Sequence, residues 1–287
     1  MGQFQDRMDA DMEIRGLALN TQKAYRRAMR KFVQHFMRPP DQLTLKDIRQ
    51  YQLYLTRERK VGWGVFNIAA AAIKFFYRVT LKKDWKIEDI PYQRKPRKLP
   101  EILSSEKVMA LITSLRNLKH RAILMAIYAG GLRASEVTHL KVSDIDSQRM
   151  VLRIDQGKGR KDRYVMLSPK LLEVLREYWK AERPETWLFP GLIPGKPLDR
   201  SSIARIVDCA KKAAGITGRV YPHLIRHCFA THLLEQGANL LVIQKLLGHR
   251  SLRSTEIYTH VAKNYLQETP SPLDILPDPK KAPPVTE

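Results

Sequence analysis

The stretch whose reading decides the fold runs from His223 to His260: HLIRHCFATHLLEQGANLLVIQKLLGHRSLRSTEIYTH. Apolar residues recurring at helical spacing predict two helices in it, His223–Gln236 and Leu240–Leu247. Three groups able to carry charge or move protons stand on and after them: His223-Leu-Ile-Arg226-His227, Leu247-Gly-His249 and Glu256-Ile-Tyr258-Thr-His260. Each has a plain reading alone, because a histidine more often satisfies a structural hydrogen bond than a reaction. His227 follows Arg226 directly; at that offset it is expected to point away from His223 and to serve structure. Cys228 falls in the apolar pattern of the first helix, and Cys209 in that of a preceding one, Ser201–Ala214. No CxxC or Cys/His pair has zinc spacing, so both cysteines are read as buried free thiols.

Working upstream, helices are expected near Ser105–Leu115, Lys119–Ala129 and Pro169–Ala181, with a turn at Gly130-Gly131 and a short helix from Ala134. Two strand-like runs, Val151–Asp155 and Arg163–Leu167, flank a glycine-bearing loop over 156–162 and read as a hairpin. Two more cationic groups lie here, Gly131-Leu-Arg133-Ala-Ser-Glu136 and Gly157-Lys158-Gly159. Glu136 and Asp144 are read as ion-pair or capping residues. Acidic residues are scarce and show no nuclease-like constellation, which disfavours magnesium-dependent cleavage. The Walker phosphate loop is missing too, since Gly157-Lys158-Gly159 has the wrong glycine spacing.

Taken in order and at these separations, the groups resemble those of the tyrosine recombinases, the phage-integrase family. The resemblance spans roughly 99–263, and the helices before it look like that family's core-binding domain. It implies a catalytic set of two Arg, one Lys, two His (or His and Trp) and one Tyr. On this sequence these are Arg133 of GLRASE, Lys158 of the hairpin, His223 and Arg226 of HLIR, His249 of LLGH, and Tyr258 nine positions further on. Lys161 lies near Lys158, but the GKG setting favours Lys158; Tyr265 lacks the spacing after His249.

Elementary chemistry fits these assignments. A phosphodiester under attack gathers negative charge on its non-bridging oxygens, and the guanidiniums of Arg133 and Arg226 suit such oxygens through charge-assisted, bidentate hydrogen bonds. A phenol with a pKa near 10 has to lose or share its proton to attack, which makes His223 the plausible base or proton shuttle. Lys158 could protonate the leaving 5′ oxygen, and His249 would hydrogen-bond the phosphate. The resemblance implies site-specific cutting and rejoining of DNA through a 3′-phosphotyrosine, without metal, ATP or other cofactor. It also implies a homotetramer on two duplex recombination sites, of Xer-like or mobile-element type. A non-catalytic sequence-specific DNA-binding protein and a type IB topoisomerase are the alternatives.

The rest of the chain agrees in charge and texture. Lys and Arg exceed Asp and Glu by 51 to 29, a net +22, which favours a polyanionic partner. Three helical patterns fill the first ninety residues. The first, Thr21–Phe36, sets Tyr25, Met29, Phe32 and Phe36 against Lys23, Arg26, Arg27, Arg30 and Lys31. The second opens at Thr44-Leu-Lys-Asp47 like a capping box and continues through Ile48, Tyr51 and Leu55; the third uses Ile68, Ala69, Ala72, Ile73, Phe76 and Tyr77.

A basic, proline-rich linker follows, and the tail holds an apolar cluster at Leu273, Ile275 and Leu276. The expected boundaries are a DNA-clamping helical domain 1–92, a linker 93–100, a catalytic domain 101–267 and a tail 268–287. The expected fold class is mainly α with a small antiparallel sheet. The longest uncharged apolar run, Ala122–Leu132, is short of the roughly 20 residues a bilayer needs. With no signal-peptide core at 1–7, a cytoplasmic, membrane-free protein is expected.

Overall fold

A computed structural model describes residues 2–85, 90–94, 101–155, 162–249 and 251–259. The chain divides into two compact units, Met1–Lys98 and Leu99–Glu287.

The first unit is helical: α1 (Gly2–Ile14), α2 (Leu19–Phe36), α3 (Leu45–Arg57) and α4 (Trp63–Phe75), the last running into a π-helical turn over Phe76–Thr80. The capping box at the start of α3 is present, with the Asp47 carboxylate accepting the Thr44 amide at 2.8 Å. Phe32, Tyr51, Ile73, Phe76 and Tyr77 form the core, and the Tyr77 hydroxyl donates to the Pro40 carbonyl at 2.6 Å. Helix α1 was not among the expected elements. It buries Met8 and Met12, which with Phe4 lie four residues apart along one face, and its Asp9 accepts from Arg26 Nε of α2 at 3.1 Å. Ile68, expected inside, is 44% exposed, because the inner face of α4 is set by Phe66, Ala69, Ala70 and Ile73.

In the second unit, α6 (Leu118–Gly130) is the central helix, buried along Ala122, Ile123, Leu124, Ala126 and Ile127. Around it pack α5 (Ser105–Thr113), α8 (Pro169–Glu182), α9 (Arg200–Ala213) and α10 (Pro222–Glu235). The short α7 is Ala134–Thr138 and α11 is Leu240–Leu247. Beside them lies an antiparallel sheet in the order β1 (Ile145–Asp146), β2 (Val151–Ile154), β3 (Arg163–Met166). The register pairs Ile154 with Arg163 and Leu152 with Val165. Period-two alternation turns Leu152, Ile154 and Val165 into the core, and it turns Arg163 inward as well. The two-residue β1 lies outside the expected hairpin.

Cys228 is buried as expected, but Cys209 is exposed. The inner face of α9 is Ile203, Ile206, Val207 and Ala210, and position 209 falls off that stripe. Among the described residues, no helix is long and apolar enough to cross a membrane.

Candidate active site

Two chain reversals build the site. Helix α6 ends at Gly131, whose φ of +58° is the left-handed C-cap conformation glycine tolerates. A methyl group there would press into the Phe229 ring, so this glycine is required twice over. The turn delivers Arg133 to the N-cap of α7, where the Arg133 amide donates to Glu136 Oε2 at 2.8 Å. Helix α11 ends in the same way at Gly248, with φ +62°, and releases His249.

Arg226 projects from α10 between these two helix ends and is fully buried. Its Nη1 donates to the Gly131 carbonyl and its Nη2 to the Leu247 carbonyl, both at 2.6 Å. One guanidinium therefore ties the C-termini of α6 and α11 together, using orphan carbonyls of both helices. Burial pulls its pKa down to about 10, with Arg133 adding to the fall and Glu136 opposing it, so it stays cationic at neutral pH.

Glu136 is the counter-charge of the whole cluster. Arg163 grips it with Nη1 at 2.9 Å and Nη2 at 2.8 Å, Arg133 Nη1 lies at 2.6 Å, and Arg226 Nη1 at 3.6 Å. Burial alone would raise its pKa, but hydrogen bonds and charge from Arg163, then Arg133, hold it at about 2. Arg163 also donates through Nε to the Leu246 carbonyl at 2.7 Å. Glu136 is thus an ion-pair and capping residue, and so is Asp144, which accepts the Lys141 amide at 2.9 Å and Arg153 Nε at 3.0 Å.

Burial and the guanidiniums disfavour charge on two histidines of the site. Burial, then Arg226 and Arg133, lower the pKa of His249 to about 4, and the same causes lower that of His223. His249 Nε2 lies 3.4 Å from Arg226 Nη2, while its Nδ1 lies 3.0 Å from Thr255 Oγ1. A guanidinium only donates, so Nε2 accepts and the ring proton sits on Nδ1, facing Thr255. In this arrangement His249 serves Arg226, and hydrogen-bonding a phosphate through Nε2 requires that lone pair to be protonated.

Tyr258 ends a 3-10 turn over Glu256–Tyr258 that packs on α10. Its ring is buried with Phe229, Ala230, Leu234, Ile243 and Leu247. Burial raises its pKa to about 12, while Arg226 and Arg133 pull the other way. Its hydroxyl lies 3.0 Å from Nδ1 of His227. The expectation that His227 points away from His223 is corrected here. The two are one helical turn apart, on the same face of α10, with ring centroids 4.6 Å apart.

The structure therefore gathers Arg133, His223, Arg226, His249 and Tyr258 at one place. Lys158, like Lys161, lies outside the described residues. The residues not anticipated are His227 and Arg163. The four-residue spacing from His223 signals the first, and in-phase alternation with Val165 the second. Among the described residues, no group of three or more His, Cys, Asp or Glu side chains is placed to hold a metal ion.

Residues 101–265 match the model of the phage integrase family, and residues 4–87 match that of the phage integrase N-terminal SAM-like domain. A Sinorhizobium fredii protein named as an integrase/recombinase, y4qK, is 49% identical over 285 residues, covering 99% of this chain and 92% of that protein. The tyrosine recombinase XerA of Pyrococcus horikoshii is 31% identical, covering 90% of this chain and 88% of its own length. Among solved structures, the recombinase XerH bound to a palindromic difH substrate superposes with a TM-score of 0.73 at 23% identity, over 90% of this chain and 81% of that one.

Proposed function

The chain belongs to the phage integrase family of tyrosine recombinases, and on that footing we propose the roles its own residues take in cutting and rejoining DNA. Tyr258 attacks a backbone phosphate and becomes a 3′-phosphotyrosine. Arg133 and Arg226 supply the positive charge that meets the non-bridging oxygens. Lys158 gives a proton to the departing 5′ oxygen, and His223 and His249 complete the set. The phosphotyrosyl bond keeps the free energy of the broken ester, so a new 5′-hydroxyl can reseal the strand without ATP.

One arrangement carries this reading: Arg133 and Arg226 converge on Glu136, at 2.6 and 3.6 Å, and the turn bearing the buried Tyr258 packs on α10, the helix that carries Arg226. Arg226, with two N–H donors committed to main-chain carbonyls, acts mainly as a fixed charge. Arg133, whose side chain is 29% exposed, is the more open fork.

The XerH structure holds a recombination substrate, and the net charge of +22 suits a duplex partner here. We assign the working assembly as a homotetramer on two duplex sites, acting in the cytoplasm. The tail's apolar cluster, Leu273, Ile275 and Leu276, lies outside the described residues.

The test uses a plasmid carrying two copies of a duplex selected from a random pool by the Tyr258→Phe protein. Recombinant plasmid in EDTA without ATP, lost in Tyr258→Phe, is the expected result. Relaxed but unrecombined plasmid would indicate topoisomerase action alone, and binding without cleavage would indicate a non-catalytic DNA-binding protein.

A further inference from the structure

We propose that His227 is the residue that takes the Tyr258 proton during strand cleavage, with His223 standing one helical turn behind it. This rests on the reading of Tyr258 as nucleophile. The geometry is direct, because His227 Nδ1 is 3.0 Å from the Tyr258 hydroxyl, within the reach a general base requires. The placement follows from the fold. Pro222 starts α10, so His223 sits in its first turn and His227 one turn deeper, where the 3-10 turn carrying Tyr258 packs. The two imidazoles meet edge to face, at 71°.

A phenol hydrogen-bonded as donor to Nδ1 needs the imidazole proton on Nε2. As the Tyr258 oxygen bonds to phosphorus, its proton passes to the lone pair of His227 Nδ1, which becomes imidazolium. The bond from phosphorus to the 5′ oxygen breaks with its electron pair, and that oxygen takes a proton from the Lys158 ammonium. On resealing, the incoming 5′-hydroxyl returns its proton to the Lys158 amine, and His227 returns its own to the phenolate. No further reagent is consumed. Burial, then Arg226 and Arg133, lower the pKa of His223, which disfavours a second imidazolium beside the cation formed on His227.

Single-turnover formation of the covalent protein–DNA adduct is the measurement, with the full chain and the selected duplex. Wild type must first form an adduct that Tyr258→Phe does not. Failure at that stage removes the recombinase reading itself and this role with it. His227→Phe and His227→Asn are then compared. Both should slow adduct formation by about 10²–10⁴-fold, the usual span for a lost general base. Asn can still hydrogen-bond the hydroxyl but is a very weak base, so a wild-type rate in His227→Asn overturns the proposal.

Two further arms separate a proton acceptor from a packing residue. Placing 3-fluorotyrosine at position 258 makes the phenol more acidic and should narrow the gap between His227→Asn and wild type; an unchanged gap overturns the proposal. A substrate with sulfur at the 5′ bridging position provides a better leaving group. It should rescue Lys158→Ala and leave His227→Asn slow, whereas equal rescue of both places His227 on the leaving-group side and overturns the assignment.

Discussion

The charge cluster around Glu136 yields a quantitative test through Arg163. Arg163→Met removes two hydrogen bonds to Glu136, at 2.9 and 2.8 Å, and one to the Leu246 carbonyl at 2.7 Å, between side chains that are each 9% exposed. Breaking a buried ion pair typically costs about 3–5 kcal/mol, against less than about 1 kcal/mol for an exposed one. Glu136 keeps Arg133 at 2.6 Å and Arg226 at 3.6 Å, so the low end applies, about 3 kcal/mol. Glu136→Gln takes the counter-charge from three guanidiniums at once and should cost more, about 4–5 kcal/mol. Because the two residues form one pair, the double variant should fall short of the sum by about 2 kcal/mol. Urea unfolding in a Trp63→Phe/Trp85→Phe background would follow Trp179 and Trp187, which report on the second unit alone. Additive losses, or a loss below about 1 kcal/mol for Arg163→Met, would show that the cluster behaves like a solvated surface pair and would refute the argument.

Arg133→Ala should abolish adduct formation while keeping most of the DNA binding and thermal stability. Arg226→Ala should lose both cleavage and stability, by about 3–5 kcal/mol, because it abandons two buried carbonyls and leaves Glu136 short of a partner; equal melting temperatures for the two variants would contradict this. Gly131→Ala combines a left-handed backbone, worth about 1–2 kcal/mol for an L-residue, with a collision at Phe229, and should lower the melting temperature further than Gly195→Ala, whose surroundings are open. Acid should destabilise the fold in two stages. His249 has a native pKa of about 4 against an ordinary 6.5, so the unfolded chain binds its proton first; that contribution is complete above 6.5 and lost as the pH falls toward 4. Glu136 contributes in full above its ordinary 4.5 and is lost as the pH falls through about 2. His249→Asn should flatten the upper stage in urea midpoints measured between pH 7 and 4, and an unaltered pH slope would count against the buried neutral imidazole.

Much of this is legible in the sequence because its signals are local. The helical stretches of the second unit, the hairpin strands and the capping box at Thr44 follow from apolar period, glycine placement and side-chain chemistry within a few residues. The misses are elements whose stability is tertiary. Helix α1 has a thin apolar stripe, Phe4, Met8 and Met12, that gains meaning only against Phe76 and α2. Strand β1 is two residues long and exists because β2 lies beside it. The site shows the same division. Arg133, His223, Arg226, His249 and Tyr258 stand in recognisable settings, and alternation along β3 turns Arg163 inward, but its pairing with Glu136, 27 residues away, is set by tertiary packing. His227 is a different case, since its four-residue separation from His223 places it on the same helical face, and only its offset from Arg226 suggests otherwise.

The most direct test is chemical identification of the residue that becomes joined to DNA. Protein reacted with the selected duplex is digested with protease and nuclease, and the peptides are weighed and fragmented. A single nucleotide 3′-phosphate on the oxygen of Tyr258 is the predicted product. The same modification on Tyr128, Tyr265 or any other side chain, or cleaved DNA with no attached peptide, would contradict it.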